Sequence, residues 1–222
     1  GSGDSKSLIL NGHVDVVPTG PENLWDDSPW SGKEIDGKIF GRGSCDMKAG
    51  LSSGLFAIAI LKSLGFKPKG DIIFQSVVGE ESGGCGTLAN IVKGYRADAA
   101  IILEPTSLKL SPIQSGALTF RLIVHGKATH ASMRWDGVSA VEKYADLHHA
   151  IIDFEKQRHH SFNTKHYKSK DRVAPINIGT IQAGQWHSTV PESVIAEGRL
   201  GVFPDESKEE KKKSFEEYIL KI

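Results

Sequence analysis

The first half of the chain alternates continuous apolar runs with segments in which apolar residues recur at helical spacing. Residues 98–104 (DAAIILE) are a strand candidate, residues 7–12 (SLILNG) form a short apolar run, and residues 71–78 (DIIFQSVV) form a continuous apolar run bounded by turn residues. Such runs are typical of strands buried in a parallel sheet. Residues 46–65 and 84–95 have the apolar spacing of helices. The alternation therefore predicts an α/β sheet whose strands are joined by right-handed crossovers.

After about residue 113 the pattern changes to an alternation of apolar and polar side chains. This alternation is typical of antiparallel strands with one face in solvent. The predicted elements are, in order, a strand, an amphipathic helix, two strands and a final helix, at residues 117–126, 136–155, 174–184, 193–203 and from about 206. Residues 156–172 are predicted to form a polar, basic loop. The order favours a second domain of the α+β class with two layers.

Length, charge and cysteine content narrow the functional classes. A chain of 222 residues is long enough for one large or two modest domains. The formal net charge is zero, so no global field favours nucleic acid or an anionic membrane as a partner. The two cysteines, Cys45 and Cys85, do not make a disulfide framework, which favours a reducing, cytoplasmic setting. No apolar run is expected to be long enough to span a bilayer.

Acidic and imidazole side chains follow the end of each predicted parallel strand, and one more acid marks the start of the first long helix. In open α/β sheets, ligands bind outside the carboxyl ends of the strands, so these side chains should meet at one edge. A divalent cation relieves the repulsion among crowded carboxylates. Such ligands suit zinc, with manganese or cobalt as substitutes, and the number of donors fits two ions about 3.5–4 Å apart that share one carboxylate. The side chains are His13, Asp15, Asp46, Glu80, Glu81 and Glu104.

Chemistry alone gives some of these side chains a role. His13 is a nitrogen ligand, and Asp15 can hydrogen-bond the other ring N–H and orient the imidazole. Asp46 is the natural bridge between two ions. One of Glu80 and Glu81 ligates while its neighbour acts as the general base on a water molecule, and both assignments stay open at this point. Taken singly, each acid is better explained by a helix cap or a solvated surface; their coincidence at one edge favours the metal site.

Five motifs identify a known family that the sequence resembles. They are GHVDVVP, GRGSCDMKAG, GEESGG, EPT and HGKATHAS, in this order, within a resemblance that extends over residues 8–203. The family is the zinc-dependent aminoacylase and carboxypeptidase group, which includes acetylornithine deacetylase, succinyl-diaminopimelate desuccinylase and glutamate carboxypeptidase. The resemblance implies a parallel-rich catalytic sheet with flanking helices and an inserted α+β two-layer dimerisation (lid) domain. Residues 1–113 are then part of the catalytic domain and residues 114–222 the dimerisation domain.

The resemblance also implies how two zinc ions are held. It makes His13 and Glu104 ligands of one ion. Glu81 becomes a ligand of the other, and Asp46 the bridge. The family often has a cis peptide bond after the bridging aspartate, so the Asp46–Met47 bond is expected to be cis. The family closes its second zinc site with a histidine near the C-terminus and usually has a segment before the first strand. Neither matches a motif here, so a chain truncated at both ends with an incomplete second site is expected.

Catalytic and substrate-binding roles follow from the same resemblance. Asp15 is implied to orient His13, and Glu80 to be the general base. His130, in HGKATHAS, is implied to reach the active site of a partner subunit, where it binds substrate and stabilises the oxyanion. This role requires a homodimer formed through the second domain; the alternative is a histidine that caps a loop. Arg199 is a candidate for binding a substrate carboxylate, and the alternative is a surface arginine on a strand.

The expected reaction is hydrolysis of a small amide. The resemblance implies a metal-dependent amidohydrolase that removes the acyl group from an N-acyl amino acid, as acetylornithine deacetylase or succinyl-diaminopimelate desuccinylase does. A di- or tripeptidase, or a carboxypeptidase, is the alternative on the same fold, with a short peptide as the substrate. From a different class, the chain could be an inactive homologue that only dimerises. The intact acids of the predicted site argue against that last interpretation.

Overall fold

The computed structural model of the protein divides into two compact units. The first comprises Gly1–Leu110 and the second Ser111–Ile222. The break lies close to the boundary predicted at residue 113, and the functional roles of the two units stay predictions. The structure describes residues 1–3, 5–161, 165–167 and 172–222.

The first unit is built on a three-stranded parallel sheet with the order β4-β1-β5. A separate antiparallel hairpin pairs β2 with β3. The predicted parallel α/β sheet is thereby confirmed. In chain order the elements are β1 (Leu8–His13), β2 (Lys33–Ile35), β3 (Lys38–Phe40), α1 (Ala49–Ser63), β4 (Ile72–Val77), α2 (Cys85–Val92) and β5 (Ala99–Ile102).

The register of the sheet aligns the carboxyl ends of its strands. His13, the last residue of β1, pairs with Val77, the last residue of β4. On the other side, Asn11 pairs with Ile102 at the end of β5, and the backbone N–H of Leu103 donates to the carbonyl of Asn11 at 2.9 Å. The residues that follow all three strands therefore emerge at one edge.

Close packing brings the start of α1 to the same edge. A Cβ atom on Gly12 would lie 2.6 Å from Met47 Cε, and a Cβ on Gly50 would overlap the carbonyl oxygen of Leu103. Only glycine at position 50 lets the helix start approach the end of β5 so closely, and a larger residue at position 12 would displace the side chains of Met47 and Leu51. A π-helical turn, Ser44–Lys48, precedes α1, and the Asp46–Met47 peptide bond within it is cis, as expected from the sequence.

The strands of the first unit are less buried than their composition predicts. Leu10 to His13 of β1 are buried, as the prediction of a sheet covered on both faces requires. All four residues of β5 are exposed. The third strand predicted at residues 98–104 forms as β5, whereas β4, predicted at residues 71–78 to be buried on both faces, is only partly buried.

The second unit contains a three-stranded antiparallel sheet with the order β6-β10-β8 and a short two-stranded ribbon, β7-β9. Its strand–helix order agrees with the prediction, except that the ribbon has no counterpart in it. In chain order the elements are β6 (Gly116–His125), β7 (Thr129–His130), α3 (Ala140–Ser161), β8 (Ile176–Ala183), β9 (Thr189–Val190), β10 (Ser193–Val202) and α4 (Lys208–Ile219).

The core of the second unit lies between the two helices and one face of this sheet. Its buried members are Leu147, Ile151, Phe154, Leu200 and Phe215. They come from α3, β10 and α4, with Phe215 tilted against Phe154 at a ring-centroid distance of 5.6 Å. The opposite face of the sheet carries exposed residues, which gives the two-layer arrangement.

The helix α3 differs from its predicted bounds at both ends. It begins at Ala140, because residues Ala131–Asp136 form a 3-10 helix and Val138 pairs with Lys127 in an isolated bridge. It continues to Ser161, inside the predicted loop 156–172. The rest of that predicted loop includes residues 162–164 and 168–171, which lie outside the described residues.

One segment, Ser44–Ser63, is long and apolar enough to cross a membrane by length and composition alone. This corrects the expectation that no apolar run reaches that length. A single such segment is weak evidence. Its first turn has non-helical dihedral angles at Asp46 and Met47. The α-helical part, α1, has 15 residues and is about 22 Å long, shorter than a hydrocarbon core of roughly 30 Å.

Candidate metal centre

His13 lies at the centre of the group of side chains predicted from the sequence. Its side chain is 1% exposed, at the end of β1. The ring nitrogen Nε2 lies 3.0 Å from Asp46 Oδ1, 3.8 Å from Glu104 Oε1 and 4.0 Å from Glu80 Oε2. These acids come from the turn before α1, from the residue after Leu103 and from the turn after β4. One imidazole nitrogen thus faces carboxylates from three segments of the chain.

Ligand atoms of these side chains are close enough to share ions. One atom each from His13, Asp46 and Glu81 lie within 4.8 Å of one another, and so do atoms from His13, Glu80 and Glu104. The structure therefore brings together all four side chains predicted as metal ligands. It also places Glu80 and Glu81 equally within the cluster, so these distances do not separate the predicted ligand from the predicted base.

The tautomer of His13 is informative about what the cluster can hold. Its Nδ1 lies 2.8 Å from the backbone carbonyl oxygen of Asp15, an acceptor that requires an N–H on Nδ1. A neutral imidazole has one N–H, so Nε2 would direct a lone pair towards the carboxylate of Asp46, whereas a protonated ring donates from Nε2 to that carboxylate at 3.0 Å. A lone pair facing an anion is repulsive, and either this second proton or a metal cation removes the repulsion. The donor set therefore fits a divalent ion.

Positive charge is otherwise scarce around these acids. Among the described residues, His13 is the only basic side chain that forms an ion pair with Asp15, Asp46, Glu80 or Glu104. The nearby ammonium group of Lys48 donates instead to the carbonyl of Val14, at 2.9 Å.

The pKa values of the cluster reflect this shortage of positive charge. Burial raises the pKa of Glu104, and the charges of Asp46 and Glu80 raise it further. The pKa of Glu81 is raised by burial and then by the charge of Asp46. Burial by itself lowers the pKa of His13, but its hydrogen bonds to the Asp15 carbonyl and to Asp46 outweigh that effect, and the pKa is raised. The raised pKa values of the two glutamates are those expected where carboxylates are crowded together.

Asp15 connects the end of β1 to the turn that carries the glutamate pair. Its two carboxylate oxygens accept hydrogen bonds from the backbone N–H groups of Glu80 and Glu81, at 3.4 and 3.3 Å. Burial raises the pKa of Asp15, but these donors outweigh it and the pKa is lowered. Its carboxylate lies 3.5 Å from His13 Nδ1, farther than its own backbone carbonyl at 2.8 Å. The backbone carbonyl is therefore the closer orienting group for the imidazole.

The predicted substrate residue His130 lies in the second unit, on β7. Its Nδ1 accepts the backbone N–H of Ser132 at 3.2 Å and contacts the hydroxyl of Ser132 at 2.8 Å. It thus caps the 3-10 helix Ala131–Asp136, which was the alternative interpretation of this histidine. Capping uses only Nδ1, so the neutral ring carries its hydrogen on Nε2 and presents an N–H donor. Capping and substrate contact are therefore compatible.

Arg199 lies on the exposed face of the β6-β10-β8 sheet, paired in register with Thr119 and Asn177. The next residue, Leu200, belongs to the core on the opposite face. This placement is compatible with Arg199 as a substrate-binding residue and with Arg199 as a surface arginine, so both interpretations stay predictions.

The sequence patterns gave no reason to single out Trp186. Its ring centroid lies 6.3 Å from that of His130, in an edge-to-face arrangement. The residue stands alone in a polar loop before the two-residue strand β9, so no periodicity marks it. The available signal is the large apolar side chain within GQWHST. An indole in a polar loop must either pack against other side chains or contact a ligand.

Comparisons with known proteins agree with this geometry. The profile of the family described as "Peptidase family M20/M25/M40" matches residues 9–194. The chain is 30% identical to the N-formyl-4-amino-5-aminomethyl-2-methylpyrimidine deformylase of Bacillus subtilis, over 100% of this chain and 54% of that protein. It is 32% identical to the enzyme of the same name from Halalkalibacterium halodurans, over 98% of this chain and 52% of that protein. The chain thus spans about half the length of the curated relatives it matches.

A third relative and a solved structure extend these findings. The chain is 33% identical to a Staphylococcus epidermidis protein named "Probable succinyl-diaminopimelate desuccinylase", over 83% of this chain and 44% of that protein. The M20 family metallo-carboxypeptidase Sso-CP2 from Sulfolobus solfataricus aligns with a TM-score of 0.72 at 18% identity, over 99% of this chain and 62% of that chain. At that identity the alignment shows a shared fold.

Proposed function

The chain belongs to peptidase family M20/M25/M40, which confirms the resemblance seen in its motifs, and we propose that it is part of a metal-dependent amidohydrolase. The proposed reaction removes a small acyl group from an amine nitrogen. The observation that carries the proposal is the environment of His13, whose Nε2 faces carboxylates from three segments within 4.0 Å. This arrangement is costly without a cation and is typical of hydrolytic metal sites.

The proposed metal ligands are those that the cluster presents. His13 and Glu104 would hold one ion and Glu81 the other, with Asp46 between them; zinc is the expected metal, with cobalt or manganese as substitutes. For the second ion, the family resemblance implies one further histidine, and no histidine of this sequence lies in the matching motif. Divalent ions of this kind polarise an amide carbonyl and lower the pKa of water.

The proposed proton transfers use the chain's own residues. The Glu80 carboxylate accepts a proton from the attacking water and returns it to the leaving nitrogen, so the products are a carboxylate and an amine. Asp15 positions this base, because its carboxylate accepts the backbone N–H groups of Glu80 and Glu81. His130 donates its Nε2–H to the oxygen that gains charge during the attack.

The proposed substrates are small N-acyl amines. N-formyl amines come first, because the two relatives matched over 98–100% of this chain are named as deformylases of an aminopyrimidine. N-succinyl amino acids are the second candidate, since the desuccinylase relative is 33% identical over 83% of this chain. N-acetyl amino acids and short peptides are the further alternatives of the sequence analysis, and Arg199 would bind a substrate carboxylate where there is one.

The proposed assembly is a homodimer formed through the second unit, with His130 acting in the site of the partner subunit. A mixture of two inactive variants of the full-length protein tests this arrangement. Co-expressed Glu80→Gln and His130→Ala subunits would form mixed dimers with one complete site, so a substantial part of the wild-type turnover should return. Absence of any recovery in isolated mixed dimers would contradict an action in trans. A cytoplasmic location is proposed as well, since both cysteines are free.

The decisive experiment combines metal quantification with a substrate screen on the full-length protein. We expect one to two zinc ions per chain and turnover of at least one N-formyl, N-acetyl or N-succinyl amine. Removal of the metal by a chelator should abolish turnover, and added zinc should restore it. A protein that binds no divalent metal would overturn the proposed function. Release of amino acids from dipeptides, without hydrolysis of acyl amines, would favour the peptidase alternative.

A further inference from the structure

One face of the β7-β9 ribbon carries His130, and the exposed indole of Trp186, in the turn before β9, lies next to it. His130 pairs directly with Thr189 in the antiparallel ladder, and directly paired residues project their side chains to the same face. The backbone N–H of Thr189 donates to the carbonyl of Trp186 at 3.2 Å, which closes a turn at the start of β9. This turn holds the indole edge-to-face with the imidazole of His130.

The indole forms one wall of a depression of about 240 Å³, lined by Ala128, Gln185, Trp186, Thr189, Pro191 and Glu192. Pocket volumes of roughly 300–1,000 Å³ hold drug-sized ligands, so this one suits a single ring. Trp186 is 56% exposed, although a tryptophan used only for packing would be covered. An exposed indole held in a turn next to a candidate substrate histidine is therefore arranged for contact with a ligand.

Two polar side chains complete the lining. Within the described part of the chain, neither the Gln185 amide nor the Glu192 carboxylate has a hydrogen-bond or ion-pair partner. The amide offers donors and an acceptor, and the carboxylate offers acceptors only. Together they match a planar ring that carries amino groups and ring nitrogens.

We propose that this depression binds the amine part of the substrate and selects a planar, nitrogen-rich heteroaromatic ring. The ring stacks on Trp186, while Gln185 and Glu192 bind its amino group and ring nitrogens. This inference rests on the proposed function, since it assigns the leaving amine of that amide hydrolysis to this surface. The aminopyrimidine in the names of two relatives has this chemistry.

A pair of substrates and three tryptophan variants of the metal-loaded, full-length protein test the proposal. The substrates are N-formyl-4-amino-5-aminomethyl-2-methylpyrimidine and N-formylornithine, which has no ring. Trp186→Ala should raise KM for the pyrimidine about tenfold, the value expected from lost ring stacking, with kcat nearly unchanged. Its KM for N-formylornithine should stay the same, and Trp186→Phe should restore most of the loss.

Trp135→Ala is the matched control. Trp135 is 86% exposed and lines a different depression of the second unit, so both KM values should stay at wild-type levels. Equal changes of KM for the two substrates in Trp186→Ala, or no change for either, would overturn the proposed selectivity.

A binding measurement separates this proposal from the proposed function. The free amine, 4-amino-5-aminomethyl-2-methylpyrimidine, is titrated calorimetrically into the wild-type, Trp186→Ala and Glu192→Gln proteins. We expect binding that both substitutions weaken. If the wild-type protein hydrolyses no acyl amine but binds this amine through Trp186, the proposed function fails and the binding site stands. If acyl amines are hydrolysed but binding of the amine is absent or independent of Trp186, the site is overturned and the function stands.

Discussion

The two units of this chain differ in how well they bury apolar side chains. Both clusters of buried apolar residues found in the described part of the chain lie in the second unit. In the first unit, β5 is exposed along its whole length, and α1 and α2 present large apolar side chains to solvent, among them Leu55, Phe56 and Leu88. Yet all the predicted metal ligands belong to the first unit. The candidate chemistry thus lies on the unit with less packing, and the better packing lies on the unit to which no metal ligand is assigned among its described residues.

Because of this difference, we expect the substitutions that lower stability and those that lower turnover to lie in different units. The carboxylates around His13 repel one another, so the metal ion proposed for this cluster would be what stabilises it. The second unit depends instead on the burial of side chains between α3, α4 and the sheet. Substitutions in the two regions should therefore move different observables, and each prediction below tests that separation.

The largest expected effect is on turnover. Glu80→Gln keeps the shape of the side chain and removes the proposed base, so kcat of the full-length enzyme should fall about 10²- to 10⁴-fold. Metal content and the unfolding temperature should stay close to those of the wild type. The matched control is Glu197→Gln in the second unit, which breaks an exposed ion pair with Arg121 and should leave kcat unchanged. Normal hydrolysis by Glu80→Gln would refute the assignment of the base.

A pair of phenylalanine truncations in the 222-residue chain compares the packing of the two units directly. Phe215 is 4% exposed in the core of the second unit, so Phe215→Ala should lower the free energy of unfolding by about 3–5 kcal/mol. Phe56 is 68% exposed on α1, and Phe56→Ala should change that free energy by less than about 0.5 kcal/mol. Denaturant titration followed by circular dichroism measures both. Similar losses of the free energy of unfolding from the two truncations would contradict the difference in packing between the two units.

Metal binding should stabilise the first unit selectively. At a zinc concentration one hundred times the dissociation constant, ligand linkage adds about 2.7 kcal/mol to the stability of the folded form. Hydrogen exchange of the 222-residue chain should then slow at the amides of β1 and remain unchanged at those of β10. Asp46→Asn removes a carboxylate that lies 3.0 Å from His13 Nε2 and should diminish the response. Protection that increased equally in both units would contradict a metal site confined to the first.

Much of this arrangement could be predicted because it follows from strand order and strand ends. The apolar runs before His13, Glu80 and Glu104 indicate parallel strands, and the edge rule then brings the polar residues together. The sequence could not give the contacts that depend on backbone geometry. The preference of His13 Nδ1 for the backbone carbonyl of Asp15 is one such contact. The β7-β9 ribbon is another case, since strands of two residues have no periodicity to detect.

Burial was the least predictable property. Residues 71–78 look like a strand covered on both faces, yet in β4 only Gln75 and Val77 are buried and Ser76 is exposed. Composition reports what a strand can bury, whereas actual burial depends on which elements pack over it. The same limit applies to Trp186, whose importance depends on its contact with His130 rather than on any pattern in the chain.

The smallest expected effect concerns the amino ends of the parallel strands, opposite the candidate metal centre, where a carboxylate accepts two hydrogen bonds. Asp98, before β5, accepts hydrogen bonds from the backbone N–H and hydroxyl of Ser7, before β1, at 2.7 and 2.8 Å. These bonds hold the pKa of Asp98 below its usual value of 3.8. A lowered pKa in the folded state stabilises the fold above the unfolded-state pKa, and this stabilisation is lost as the pH falls through the lowered value.

Asp98→Asn should therefore lower the unfolding temperature of the 222-residue chain slightly at pH 7. The difference from the wild type should shrink as the pH falls from about 3.8 through the lowered pKa of the folded state, below which the wild-type carboxyl is protonated as well. Asp26→Asn is the matched control, since the carboxylate of Asp26 is exposed and accepts no hydrogen bond from a described residue. Thermal unfolding at a series of pH values measures the effect. A change in unfolding temperature for Asp98→Asn that did not depend on pH would show that the charge of this carboxylate does not stabilise the amino ends of the strands. The carboxylates at the two ends of the strands would then differ less in their effect on stability than proposed.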